Sequence, residues 1–244
     1  MKILIVDDEA PARQRLSALL AEVDGAEVVG EAADGRSALA LAERLGPDVL
    51  LLDIRMPVMD GLETARHLAR LARPPAVIFT TAYSDYALDA FEAQAVDYLV
   101  KPVRRERLER ALAGTHRLTR AQLAALESAR GPRARTHISA RVKGDIRLVP
   151  VDEVLYLQAD HKYVTVGWPG GEVLIDESLK MLEQEFGERF LRVHRNALVA
   201  ADRVWKLEKD AAGRCRVHLR GTERTFPVSR RHLPGVRRRL RAGR

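Results

Sequence analysis

Three carboxylates, a hydroxyl and an ammonium stand at the ends of apolar runs in the first hundred residues. Asp7 and Asp8 follow "ILIV", Asp53 closes "VLLLD", Thr81 closes "AVIFTT" and Lys101 follows "DYLV". A charge at the tip of a buried strand is costly unless something compensates it. Carboxylates at close range tolerate one another when a cation sits among them, and an all-oxygen set suits Mg²⁺ rather than a soft metal. A lysine ammonium and a threonine hydroxyl on the same rim supply what is needed to hold a phosphoryl group on Asp53. The chemistry read from these residue types is phosphoryl transfer, with Asp53 as nucleophile and Arg55 offering its backbone carbonyl to the metal. Alone, "DDE" after a strand is equally a solvated loop. Asp53, Thr81 and Lys101, each ending its own run, argue against that.

These groups meet only if the runs are neighbouring strands. "KILIV", "EVVGEA", "DVLLLD", "AVIFTT" and "DYLV" read as strands, and apolar residues at helical spacing mark helices over 11–22, 35–44, 61–71, 84–92 and 104–116. Five strands alternating with five helices predict an α/β fold with a doubly wound, five-stranded parallel sheet, in which function collects at the carboxyl ends of the strands. A Mg²⁺-dependent phosphohydrolase would place a second carboxylate two residues after its nucleophile. Arg55 occupies that position, which argues against an enzyme acting on other phosphate esters.

"ILIVDDE", "LLLDIRMPVMDG", "TTA" and "DYLVKP" resemble the receiver domain of two-component response regulators, over residues 1 to about 118. The resemblance implies that Asp53 accepts a phosphoryl group from the phosphohistidine of a sensor histidine kinase, so that the protein phosphorylates itself from a donor and slowly loses the group. It implies Asp8 and Asp53 as Mg²⁺ ligands, Asp7 supporting the metal shell, Lys101 and Thr81 on the phosphoryl oxygens, and a cis Lys101-Pro102 bond. Thr81 and Tyr98 would form the switch, biasing the surface of residues 84 to 113 and promoting a homodimer.

The net charge of +7 conceals a division: residues 1 to 120 carry a net of −3 and residues 121 to 244 a net of +10. The second half should prefer polyanions. A helix extension and linker are expected over 119–136, ending in "GPRAR", and from 137 to 244 short β-rich runs such as "RLVPV", "EVLYLQA", "YVTVGW", "RVWKLE" and "CRVHL" predict a mainly antiparallel β domain with helices at "SLKMLEQEF" and near "SRRHLPGVRRRL". Trp168 and Trp205, each in an apolar strand, are expected in the core. A single cysteine, Cys215, excludes an internal disulfide. The opening "MKILIVDDEA" fits neither a signal peptide nor a membrane span, so a cytoplasmic protein is expected.

Cationic and amide groups concentrate in three stretches where strands should turn, "ADHKY", "RVHRNALV" and "VSRRH". Their histidines lack the regular spacing of a metal site. Together with "EVLYLQADHKYVTV" and "SLKMLEQEF" they resemble the LytTR DNA-binding domain, in its alginate-regulator branch. That resemblance implies loops laid into successive major grooves of promoter DNA at direct-repeat sites, with base or phosphate contacts from His161 or Lys162, from Arg195 with Asn196 beside it, and from Arg231 helped by Arg230. Asn196 stands where many relatives have serine, and His194 is assigned to packing or hydrogen bonding. The function expected is a phosphorylation-controlled, sequence-specific transcriptional regulator; the alternative is a signalling protein whose basic domain binds RNA or a protein partner without reading DNA sequence.

Overall fold

A computed structural model describes residues 1–82, 98–115, 134–142, 145–209 and 213–242. The chain divides into two compact units, Met1–Arg133 and Ala134–Arg244.

In the first unit, β1 (Lys2–Val6), β2 (Glu27–Ala32), β3 (Val49–Asp53), β4 (Ala76–Thr81) and β5 (Tyr98–Val100) form one sheet in the order β2-β1-β3-β4-β5. All four pairings are parallel. The helices are α1 (Ala10–Leu20), α2 (Gly35–Leu45), α3 (Gly61–Leu68) and α4 (Arg105–Ala113). β3 and β4 are buried along their whole length, as expected of central strands covered on both faces. Asp34 caps α2 through Ser37 N, and Asp60 caps α3 through Glu63 N, both at 2.9 Å. The helix expected to run to 71 ends at Leu68, where turn bonds at Arg70 and Leu71 replace the helical ladder. The helix expected at 84–92 lies outside the described residues, as does most of the expected linker.

In the second unit, β6 (His137–Val142) and β7 (Asp145–Pro150) form a hairpin. The strands β8 (Tyr156–Asp160), β9 (Tyr163–Trp168), β10 (Gly171–Ile175), β11 (Phe190–His194) and β12 (Ala197–Ala200) form an antiparallel sheet in the order β10-β9-β8-β12-β11. A third sheet joins β13 (Val204–Lys209), β14 (Cys215–Leu219) and β15 (Thr225–Val228), and the helices are α5 (Leu179–Phe186) and α6 (Leu233–Ala242). Alternation along the central strands divides two cores. Leu157, Val166 and Leu198 pack with the hairpin and α5, while Tyr156, Val193 and Val199 pack with the third sheet and α6.

Two expectations fail here. Arg135, placed in the linker, belongs to the second unit: its side chain is 2% exposed and bonds to Glu177 and Glu185. Trp205, expected in the core, is exposed, because the β13–β14 register shifts between Val204 and Lys206 and the bulged tryptophan turns outward.

Candidate functional site

β1 and β3 are adjacent, and chain connections leave them in opposite directions, so their carboxyl ends flank the switch point of the sheet. Val6 is level with Leu52, which puts Asp7 beside Asp53. Asp53 pairs with Thr80 and Thr81 with Val100, carrying the rim on to Lys101. The structure thus brings together the five residues singled out by type.

One carboxylate oxygen from each of Asp7, Asp8 and Asp53 lies within 4.8 Å of the others, and among the described residues this is the one cluster able to hold a metal. Lys101 Nζ is 2.7 Å from Asp7 Oδ2 and 2.8 Å from Asp53 Oδ2. The other oxygens are held by backbone: Glu9 N donates to Asp7 Oδ1 at 3.1 Å and Arg55 N to Asp53 Oδ1 at 3.2 Å. Arg13 braces the acidic loop, donating to the carbonyls of Asp7 and Asp8 at 2.8 and 3.4 Å. Burial pushes the Asp53 carboxyl up, and the Lys101 ammonium and Arg55 amide do not fully offset it. Burial alone would pull Lys101 down; its bonds to Asp53 and Asp7 raise it instead.

The run "MDG" also has a physical reason. A Cβ on Gly61 would lie 2.1 Å from the Asp53 carbonyl oxygen, so the start of α3 can cross the acceptor strand only as glycine. Thr81 is buried and Tyr98 half-buried, and Lys101-Pro102 is cis. Of the surface spanning 84 to 113, residues 84–97 lie outside the described part.

The three cationic stretches meet at one end of the second unit. His161 and Lys162 are the two exposed residues of the β8–β9 hairpin turn, His161 in a left-handed conformation at φ 52°. Ala159 N donates to the Asn196 carbonyl at 2.8 Å, bringing the β11–β12 turn alongside. Ser229 N donates to the Val193 carbonyl at 2.9 Å, which leads Arg230 and Arg231 past the same edge. Arg195, Arg230 and Arg231 are exposed and Asn196 partly so. His194 is partly buried and has the bonding role expected of it: its Nδ1 bonds Asn196 Oδ1. Burial, with Arg231 and Arg192 nearby, holds the His232 imidazole below its usual value. His161 Nδ1 lies 2.8 Å from Asp160 Oδ1.

Comparison with known proteins agrees with both halves. Residues 3–113 match the response regulator receiver domain, and residues 144–241 match the LytTr DNA-binding domain. The chain is 51% identical over 243 residues to the positive alginate biosynthesis regulatory protein of Pseudomonas aeruginosa, a span covering 98% of each chain. The chain belongs to the LytTr-type response regulators. Within this family it is also 36% identical to the transcriptional regulatory protein BtsR of Salmonella typhi, over 97% of this chain and 98% of that one. With the sensory transduction protein LytT of Bacillus anthracis it shares 31% identity, over 85% and 86% of the two chains. It is a two-component response regulator whose effector half is a DNA-binding domain, and a kinase partner and DNA binding follow from that architecture. Among the described residues no helix is long and apolar enough to cross a membrane.

Proposed function

We propose that this response regulator controls transcription from the cytoplasm by accepting a phosphoryl group on Asp53 and reading promoter DNA through the edge formed by His161, Lys162, Arg195, Asn196, Arg230 and Arg231. An Asp53 oxygen attacks the phosphorus of the kinase phosphohistidine; the phosphorus–nitrogen bond breaks as the phosphorus–oxygen bond forms, and the imidazole leaves neutral, keeping the proton its other ring nitrogen carried in the phosphohistidine. The oxygen cluster of Asp7, Asp8 and Asp53 fits Mg²⁺, with Asp8, Asp53 and the Arg55 carbonyl as its ligands and Asp7 in support. Bound there, the ion would neutralise charge on the phosphoryl oxygens. Lys101, which already pairs with Asp53, then takes a phosphoryl oxygen, and Thr81 takes another as Tyr98 packs inward behind it. The protein dimerises on activation or on DNA, at direct-repeat sites.

The single observation that carries the DNA reading is the convergence of three exposed cationic turns at one end of a sheet, each drawn from a different part of the sequence. The Salmonella typhi relative is named as a transcriptional regulatory protein, and the Pseudomonas aeruginosa relative is named for the regulation of alginate biosynthesis. The test is selection of random duplex DNA by the full-length protein, with and without beryllofluoride and Mg²⁺. Enrichment of a motif repeated at about one helical turn, stronger in the beryllofluoride arm, is expected. Equal, salt-sensitive binding of all duplexes would overturn sequence readout.

A further inference from the structure

Arg192 lies three residues before the β11–β12 turn and is not among the DNA contacts proposed above. Its side chain is 20% exposed, and all three guanidinium nitrogens are engaged within the protein. Nη1 donates to Glu183 Oε2 of α5 at 2.8 Å, Nε donates to the His194 carbonyl at 2.9 Å, and Nη2 donates to the Arg195 carbonyl. The β11–β12 register shifts between Arg192 and His194. A bulge of this kind re-aims the residues that follow it, and it needs support to hold one conformation.

We propose that Arg192 is the positioning residue of the base-reading turn. Tethered by Glu183, its planar fork fixes the backbone at His194 and Arg195, so that the Arg195 and Asn196 side chains meet DNA in one orientation. His194 holds the Asn196 amide on the other side of the same turn. Preorganisation of this kind raises affinity and sharpens discrimination without any contact from the positioning residue to the ligand. A lysine at 192 would keep the charge and lose the fork, since an ammonium is a compact charge and cannot span three acceptors in fixed directions.

The inference rests on the DNA reading of the second unit. Its experiment uses the full-length protein, a duplex selected by the wild type, and a scrambled duplex of equal length, each titrated across a range of salt. The variants are Arg192→Ala, Arg192→Lys, Glu183→Gln, Arg195→Ala and the Arg192→Ala/Arg195→Ala pair, with tryptophan fluorescence confirming that each is folded. Arg192→Ala is expected to lose about ten-fold on the selected duplex, the size of one good base contact, with little loss on the scrambled duplex and an unchanged salt slope. Its base preferences should flatten where those of Arg195→Ala do and also where Asn196 reads, and the losses of Arg192→Ala and Arg195→Ala should be less than additive in the double variant. Arg192→Lys should not rescue, and Glu183→Gln should move the same way by less. Equal losses on both duplexes with a salt slope smaller by about one would overturn the inference in favour of a phosphate contact. Full rescue by lysine, or an unchanged base profile in both Arg192→Ala and Glu183→Gln, would also overturn it. A wild type that enriches no sequence removes the DNA reading itself, and this inference with it.

Discussion

Replacing Arg135 with methionine removes the cation from a group that is dry on its central side. The guanidinium donates to Glu177 at 2.6 and 3.1 Å and to Glu185 at 2.8 and 2.9 Å, and the Arg135 backbone N–H adds a bond to Glu185 at 3.1 Å. Burial alone would pull the guanidinium down, but the two carboxylates more than reverse that and raise it. Breaking a buried ion pair from one side costs roughly 3–5 kcal/mol. Glu177 and Glu185 remain 11% and 22% exposed, so water relieves part of the exposed charge, and about 3 kcal/mol is expected. The methionine stem retains much of the packing against Phe186, over which the guanidinium sits at 5.8 Å. For a domain of this size that is on the order of a 15 °C fall in melting temperature. The assay is urea or thermal unfolding followed by tryptophan fluorescence: the chain has two tryptophans, Trp168 and Trp205, and both lie in the second unit. Combining Arg135→Met with Glu177→Gln and Glu185→Gln should recover most of the loss, since the two carboxylate charges are then removed together with the cation between them. A loss below about 1 kcal/mol in the single variant, well short of the cost of breaking a buried ion pair, or an equal loss in the triple one, would refute the reasoning.

Four further outcomes are expected. Asp53→Asn should end phosphate incorporation from a small phosphodonor, and incorporation persisting in that variant would overturn the acceptor assignment. Gly61→Ala should slow incorporation and lower stability together, as its Cβ must displace the start of α3 or the Asp53 backbone. Asp34→Ala should cost about 1 kcal/mol at neutral pH. Burial opposes the Asp34 charge, but bonds from Ser37 and the Arg36 amide hold its carboxyl below the usual range; with the folded value depressed, its contribution is present above about pH 3.9, the ordinary value, and lost as pH falls through the folded value, as denaturation at stepped pH would register. Arg195→Ala and Arg231→Ala should each cost roughly 1–3 kcal/mol and relax specificity if they meet bases; uniform losses across duplexes in binding titrations would mark them as phosphate contacts.

The receiver half was legible because its signals are local. β1, β3, β4 and β5 are apolar runs with a reactive group at or just past the end of each, so strand order alone gathers Asp7, Asp53, Thr81 and Lys101. The effector half gave up its turns for the same reason, since His161-Lys162 and Arg195-Asn196 interrupt alternating strands. What escaped is non-local. Arg135 reads as linker because its partners lie 42 and 50 residues on. Trp205 reads as core because a bulge, which carries no sequence signature here, rotates it outward. Arg192 reads as one more surface arginine, and only the folded turn reveals that its three guanidinium nitrogens bond Glu183 and two backbone carbonyls. Arg13 escaped likewise, its acceptors being backbone atoms of the acidic loop.

The residues of the cationic edge sit in turns, while the strands beneath them are held by two separate cores. Exposed turn positions tolerate exchange with small effects on stability. Vocabulary and grammar are therefore carried by different parts of the same domain: a lineage can rewrite the handful of letters at 161–162, 195–196 and 230–231 while the frame that aims them stays as it is. A descendant of this chain could change the promoters it answers to in single steps, each passing through a folded protein still able to receive its signal.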